Sequence, residues 1–334
     1  MHCCVIFGGK SAEHDISLIS AGGVIPTMNE SHDLILIYIQ KDGTWSSVSV
    51  DDFIASQDPE QWQLKSVNIN LTEGGFEIDR KLYQPDVVFP VLHGQYGESG
   101  HVQGLLEMMN LPFVGSGLES SVLCLNKMLA KQTVSRASIA VAPWMTFNQQ
   151  APSFKEVVEQ IGKPFFVKAA CSGSSIGVAL VEDQSQYLPA IEAIFQLGDQ
   201  VLLESLVVGR ELECAVLEHG SIQCATPAEI QVAGWYDYAA KYDNHSAKVI
   251  MPAELEAKEA EQFMAMAKQA FIALGCRGYA RVDGFLTKSG QVIFNEINTI
   301  PGFTPISVFP KAWANQMSFS TLIDRMLLSA TRQS

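Results

Sequence analysis

The stretch Gly278-Tyr279-Ala280-Arg281-Val282-Asp283-Gly284-Phe285-Leu286, then Thr287-Lys288-Ser289-Gly290-Gln291, then Val292-Ile293-Phe294-Asn295-Glu296-Ile297-Asn298, decides the fold. Two alternating runs flank a short polar segment carrying Ser-Gly, the signature of an antiparallel hairpin. A symmetric loop centred on Ser289-Gly290 sets Asp283 opposite Glu296 and Arg281 opposite Asn298, because cross-strand partners share a constant index sum. These four side chains then lie on one face. The other face takes Ala280, Val282, Leu286, Ile293 and Ile297, so the apolar half of the pattern has a core to enter.

Two carboxylates placed directly across a ladder repel, and a fold accepts that cost most readily when a cation sits between them. Asp, Glu and Asn offer hard oxygen ligands without sulfur or imidazole, which suits Mg2+ held between protein and phosphate oxygens. The plainer alternative is an acidic, water-facing side of an ordinary hairpin. Thr299-Ile300-Pro301-Gly302-Phe303-Thr304 weighs against it. A Pro-Gly turn straight after Asn298 brings backbone N–H groups back toward the same face.

At 334 residues the chain is too long for one compact core and fits two or three small domains. Hydrophobic residues make up 47% and charged residues 17%, which predicts a soluble globular protein rather than a disordered one. The net charge of -14 with no basic run argues against nucleic acid. No apolar run reaches the length of a membrane span, and Met1 to Gly9 lacks a basic n-region and cleavage site, so a cytoplasmic protein with no membrane partner is expected. Seven scattered cysteines without a C-x-x-C pair read as reduced, mostly buried thiols.

Cys3 to Phe7 has a buried-strand pattern, and Gly8-Gly9 turns it into a helix opening near Ser11, with Ile16, Ile19 and Val24 inward. A lone Gly-Gly is not a dinucleotide fingerprint. Further strands at Leu34 to Ile39 and Asp86 to Leu92, the latter followed by a helix with Val102, Leu105, Leu106 and Met109, predict a small open α/β domain. His93 stands at a strand end, where a histidine is more often structural than functional. Val122 to Ala137 is expected to be one helix carrying Lys127 and Lys131. Pro164 to Lys168 and Val178 to Val181 are strands around the loop Ala169-Ala170-Cys171-Ser172-Gly173-Ser174-Ser175-Ile176-Gly177. A Gly/Ser loop between two strands resembles a flap that covers nucleotide phosphates with backbone N–H groups, and Lys168 just before it could reach a phosphate oxygen. The strand Val201 to Glu204 runs into an exposed connector suited to a purine edge, and Glu211 beyond it could accept ribose hydroxyls. Trp235 to Asn244 reads as a covering loop, Ala253 to Leu274 as a scaffold helix, and Phe319 to Leu328 as the last helix.

Taken in order, Gly8-Gly9-Lys10-Ser11-Ala12-Glu13-His14, Leu92-His93-Gly94 with Gly97-Glu98, Lys168 with Gly173-Ser174-Ser175-Ile176-Gly177, Lys241-Tyr242, Arg281-Val282-Asp283, and Asn295-Glu296-Ile297-Asn298-Thr299 with Pro301-Gly302-Phe303-Thr304 resemble the D-alanine:D-alanine ligases of the ATP-grasp superfamily. The resemblance implies an α/β and α+β chain of three domains: an N-terminal open α/β substrate-binding domain over 1–120, a central ATP-grasp subdomain over 121–205, and a C-terminal ATP-grasp subdomain over 206–334. It implies ATP as cofactor with two Mg2+ ions, replaceable by Mn2+, a homodimer, and ligation of two D-alanines through an acyl phosphate for peptidoglycan precursors.

By the same match, Lys127, Lys168, Lys241, Ser174 and Ser175 would contact ATP, Glu204 and Leu206 its adenine, and Glu211 its ribose. Asp283, Glu296 and Asn298 would bind magnesium. Arg281 and the Gly302 N–H would form the oxyanion site. Glu13 would bind the first substrate's ammonium, with His93 near its carboxylate, and Ser307 with Val308 would hold the second substrate. Glu13, Ser174 and Tyr242 match a triad tying the N-terminal helix to two loops. The departures are Ser99, Asn126 and Ser205, of which Asn126 and Ser205 could weaken nucleotide binding. Two alternatives remain: a D-serine or, less favoured by Lys241-Tyr242, D-lactate ligase, and a catalytically silent ATP-binding regulator, which would be expected to lose Arg281 or a metal ligand.

Overall fold

A computed structural model describes residues 1–147, 150–173, 177–198, 200–232, 247–304 and 306–331. The apolar run Cys3 to Phe7 forms β1 (His2–Gly8), which pairs in parallel with β2 (Asp33–Ile39) on one side and with β7 (Val87–Leu92) on the other. An antiparallel meander, β3 (Trp45–Val48), β4 (Lys65–Asn70), β5 (Gly75–Ile78) and β6 (Lys81–Tyr83), extends the sheet beyond β2 in the order β6-β5-β4-β3-β2-β1-β7. Parallel strands need cover on both faces. Helix α1 (His14–Asn29) and the short α2 (Val50–Ala55) lie on one side, and α3 (His101–Met108) serves the other.

The inner face of α1 differs from the apolar count. Ile19 is 50% exposed, and the buried side carries His14, Ser17, Ser20, Ala21, Val24, Ile25 and Met28. The polar members bind strand ends: Ser17 Oγ accepts from Gly8 N at 2.7 Å, and His14 Nδ1 lies 2.6 Å from the Gly9 carbonyl. A helix packed over strand termini must satisfy their backbone groups, so part of its stripe is hydrophilic.

The single helix expected over Val122 to Ala137 is two, α4 (Leu118–Leu125) and α5 (Lys127–Arg136). Asn126 is extended between them, and its Oδ1 accepts from Met128 N and Leu129 N at 3.1 Å each. It is an N-cap, the position where Asn and Asp are equally favoured. The second sheet, order β10-β9-β11-β8, is antiparallel and comprises β8 (Trp144–Thr146), β9 (Phe165–Ala169), β10 (Val178–Val181) and β11 (Val201–Ser205). It packs against α6 (Phe154–Ile161) and α7 (Gln184–Gln196).

The third sheet holds β12 (Gly209–His219), β13 (Ser221–Cys224), β14 (Ala228–Val232), β15 (Ala247–Ile250), β16 (Tyr279–Thr287) and β17 (Val292–Asn298), in the order β15-β14-β12-β16-β17 with β13 on β12. One of its faces is apolar through its centre, packed on α8 (Ala257–Ala273) and on Cys124, Ala130 and Val134 of α4 and α5. The other is divided. Ala215, Leu217 and Tyr279 pack with α9 (Val308–Trp313), α10 (Phe319–Thr331) and the first sheet. The end toward the hairpin loop carries Glu211, Glu213, Arg281 and Asp283.

The hairpin pairing is as read from the sequence at its working end, Arg281 with Asn298 and Asp283 with Glu296, but for another reason. Thr287 N donates to Gln291 O at 3.0 Å and Gly290 has φ +79, so the loop is the three residues Lys288 to Gly290, centred on Ser289 alone. Gly284 pairs with Phe294, which leaves Asn295 as an extra residue opposite the Asp283–Gly284 step. This β-bulge restores the register that the shorter loop offsets. A Cβ on Gly284 would stand 2.6 Å from the Ile293 carbonyl, so a side chain there would collide with the bulged strand. The expected core place of Ile293 belongs instead to Phe294, fully buried, while Ile293 pairs with Phe285 on the site face.

Candidate active site

Arg281 lies along β16 over its own strand neighbour. Its Nε donates to Asp283 Oδ1 at 2.7 Å and its Nη2 to Oδ2 at 2.6 Å, a bidentate pair. Glu213, directly opposite Asp283 on β12, brings Oε2 within 3.2 Å of Arg281 Nε. Glu213, Asp283 and Glu296 therefore stand in one row across three strands. Burial alone would lower the Arg281 pKa, but Asp283 and Glu213 outweigh it and hold the guanidinium firmly charged. Half-buried Glu211 is pushed up to about 8, first by burial and then by Asp283, Glu213 and Glu296. Negative charge exceeds positive here, which is the environment a cation relieves.

A metal ion fits this donor set because Asp283 and Glu296 face each other across the ladder, with Glu213 next in the row. Among the described residues no three His, Cys, Asp or Glu side chains converge as a self-sufficient cage. Two carboxylates and the Asn298 amide are instead the partial, all-oxygen set that Mg2+ uses when phosphate oxygens complete its shell. Asn298 Oδ1 is oriented by the Ile300 N–H at 3.1 Å.

The basic counterpart is built on the second sheet and α5. Lys168 on β9 and Lys131 on α5 both pair with the Glu204 carboxylate on β11. Lys131 is 1% exposed and Glu204 3%. Burial would raise Glu204, yet the two lysines hold it down to about 2. Lys168 is raised, Glu204 overcoming the effect of burial, whereas burial dominates at Lys131 and lowers it. Lys127 opens α5, donates to the Ser172 carbonyl at 2.6 Å, and stands 3.9 Å from Glu296 Oε2. It joins the base of the Gly/Ser loop to the acidic hairpin. Ser205 Oγ donates to the Ile161 carbonyl, and the Leu206 N–H donates to Pro164 O at 3.3 Å, so the connector after β11 is tied back to α6 and β9.

On the substrate side, Glu13 precedes α1 and its N–H donates to Ser11 Oγ at 3.2 Å. A Cβ on Gly94, where φ is +71, would meet Glu13 Oε2 at 2.5 Å, and one on Gly173 would meet it at 3.6 Å. The carboxylate thus lies between the end of β7 and the Gly/Ser loop. His93 Nδ1 donates to the Ile300 carbonyl at 3.1 Å and Nε2 accepts from Ser20 Oγ at 2.9 Å, a tautomer assigned from the network. Ser20 Oγ also accepts from Phe303 N at 3.2 Å. His93 therefore joins α1 to the Pro301-Gly302 turn. A Cβ on Gly302 would meet Ser307 Oγ at 2.7 Å, and that hydroxyl binds Thr304 N at 3.1 Å and Thr304 Oγ1 at 2.8 Å. Val308 follows, buried, at the start of α9. Ser174, Ser175, Lys241 and Tyr242 lie outside the described residues.

Sequence reading gave no role to Glu213, Lys131 or Ser20, although it placed Lys131 on the helix with Lys127. Their signals were present but faint: a second acid two residues after Glu211 in a buried strand, and a lysine one helical turn beyond Lys127.

Three sheets, with lysines on β9 and α5 at the base of a Gly/Ser loop beside an acidic hairpin, define the ATP-grasp class. Residues 2–116 match the model for the D-ala D-ala ligase N-terminus, and residues 133–328 that for the D-ala D-ala ligase C-terminus. D-alanine–D-alanine ligase A of Escherichia coli K12 is 40% identical, and that of Salmonella typhimurium 39%, each over 97% of this chain and 93% of the relative. Among solved structures, the D-alanine-D-alanine ligase from Coxiella burnetii superposes with a TM-score of 0.90 at 31% identity, covering 100% of this chain and 94% of that one. The D-Ala:D-Ser ligase VanG from Enterococcus faecalis gives 0.89 at 35% identity, covering 98% and 99%. The chain belongs to the D-alanine–D-alanine ligase family, and it is an ATP-dependent ligase.

Proposed function

We propose that the chain joins two D-alanines to D-alanyl-D-alanine for peptidoglycan precursors, in the cytoplasm, through an acyl phosphate made with ATP. The observation that carries this reading is Lys127, 2.6 Å from the loop carbonyl of Ser172 and 3.9 Å from Glu296, which brings a phosphate-binding cation and a metal-binding carboxylate to one place. Among the described residues no helix is long and apolar enough to cross a membrane.

Phosphoryl transfer depends chiefly on positioning and charge neutralisation. Lys127, Lys168 and Lys241, with the Ser174 and Ser175 segment, would hold the phosphates, Glu204 and Leu206 the adenine, and Glu211 the ribose. Asp283, Glu296 and Asn298 would hold two Mg2+ ions, or Mn2+, whose bound charge would offset that of the phosphoryl oxygens. Glu13 would take the ammonium of the first D-alanine, and His93 would orient the turn beside its carboxylate. Arg281 and the Gly302 N–H would stabilise the oxyanion when the second amine attacks. Ser307 and Val308 would hold the second substrate's carboxylate. Glu13, Ser174 and Tyr242 would close the site against water, which otherwise hydrolyses the acyl phosphate. The units 1–120, 121–205 and 206–334 would act as the three domains of a homodimer's subunit.

A D-alanine:D-serine ligase is the second reading, favoured by the likeness to VanG over nearly the whole of both chains. Phosphate release from ATP and Mg2+ is measured with D-alanine alone, then with D-serine or D-lactate added, and the products are weighed by mass spectrometry. D-Alanyl-D-alanine from D-alanine alone, without preference for a mixed product, is expected. Turnover only with D-serine present would transfer the assignment to the second reading.

A further inference from the structure

Arg281 faces a difficulty that the acidic row makes plain. Its only bidentate partner among the described contacts is Asp283, which is also an expected metal ligand. Once a divalent cation shares the charge of Asp283, the hold of that carboxylate on Arg281 weakens, and the cation repels the guanidinium at close range. An arginine that must face a reacting carbonyl needs a second, lasting counter-charge.

Glu213 is placed to be that counter-charge. It is 4% exposed, sits across the ladder from Asp283, and brings Oε2 to 3.2 Å from Arg281 Nε. The residue on β12 directly opposite Arg281 is Ala215, whose small side chain leaves room for the arginine to fold along its own strand toward both acids. Glu213 also lies one strand further from Glu296 than Asp283 does, since β16 stands between β12 and β17. It can keep its grip while Asp283 and Glu296 serve the metal.

We propose that Glu213 is a positioning residue, the anchor that keeps Arg281 aimed at the reacting carbonyl while metal occupies Asp283. This rests on the oxyanion role given to Arg281 above.

The test uses the full chain with arginine 15N-labelled, and it reads the exchange of the Arg281 Nε–H with Mg2+ and ADP, where there is no turnover. Arg281→Lys identifies the signal. In the wild type the Nε–H is expected to stay protected when Mg2+ is added. In Glu213→Gln it is expected to exchange at least about tenfold faster on Mg2+ addition, because the charged carboxylate that stands 3.2 Å from Nε, ready to accept its N–H as Asp283 turns to the metal, is gone. In turnover, Glu213→Gln is expected to lower kcat by about 100-fold, the scale of one lost oxyanion donor, with the KM for ATP changed less than about threefold. Glu213→Asp, which keeps the charge on a shorter arm, is expected to recover part of both effects. It also carries the measurement if Glu213→Gln does not fold. Equal Nε–H protection in wild type and variant under Mg2+ would overturn the proposal, as would a loss confined to KM. A wild-type chain that makes no dipeptide would instead overturn the ligase reading, and the exchange measurement would still decide the role of Glu213.

Discussion

The two charge clusters of this site are opposite in sign. On the third sheet Asp283 and Glu213 pair with one guanidinium, Arg281, with Glu296 near it and Glu211 beside the same carboxylates. On the second sheet and α5 the ammoniums of Lys131 and Lys168 surround one carboxylate, Glu204, with Lys127 nearby at the loop. Burial and then the neighbouring carboxylates drive Glu211 up to about 8 in the acidic half, whereas in the basic half burial would raise Glu204 but Lys131 and Lys168 draw it down to about 2. Each half is incomplete in a way that only the other kind of ligand corrects: a cation for one, a polyphosphate for the other. On the function proposed, a nucleotide bound with metal would supply both, and Lys127 beside Glu296 marks where the halves meet.

The largest effect tests the acidic half. Glu296→Gln is expected to cut phosphate release by about 1000-fold, the upper scale for losing one stabilising group. Its side chain is 38% exposed, so the thermal midpoint should move little. Near-normal turnover would remove Glu296 from the site. The scaffold of that half is tested by Phe294→Ala, expected to cost about 3–5 kcal/mol in urea unfolding, against less than about 1.5 kcal/mol for Ile293→Ala. Equal losses would return Ile293 to the core and remove the bulge.

The basic half answers to Glu204→Gln, which leaves two buried ammoniums without their carboxylate and should cost about 3 kcal/mol. A loss below about 1 kcal/mol would mean that water already reaches the cluster.

Proton linkage compares the halves directly. Folded Glu211 keeps its proton up to about 8, while an unfolded glutamate releases it near about 4.3. Between those values the folded chain binds more protons, so this group makes stability fall as pH rises through that window, and Glu211→Gln should flatten the slope. Binding of Mg2+ with ATP near pH 7 should expel most of that proton, seen by calorimetry in buffers of different ionisation enthalpy. No proton release would mean that the metal lies away from Glu211. The smallest expected effect belongs to Asn126→Ala, about 1 kcal/mol from the lost cap of α5, with Asn126→Asp close to neutral.

Much of this was legible along the chain. Period-two alternation in β16 placed Arg281 and Asp283 on one face, since successive strand residues must alternate. The bulge was less visible, although Val292, Phe294 and Ile297 carry it as a step of three where steps of two were due. Counting from an assumed loop gave the right partners at Glu296 and the wrong face for Ile293, because two one-residue offsets cancel at one end and not in the middle. The break at Asn126 was equally readable as an N-cap signal and was overrun by the apolar period on either side. Ile19 was misjudged because an apolar count cannot see that Ser17 and Ser20 face strand ends and hydrogen-bond there.

Residue order alone was enough for the strands β1, β2, β7, β9, β10 and β11, the hairpin, the acidic pair of Asp283 and Glu296, and the likeness to a family, since each depends on local periodicity or on short motifs. The partners of the charges were another matter. Glu213 meets Arg281, Lys131 meets Glu204, and His93 joins Ser20 to Ile300 across separations in sequence of 68, 73, 73 and 207 residues. Which buried charge faces which is set by how sheets and helices pack, because a desolvated ion has no stable place until a distant element brings its counter-ion.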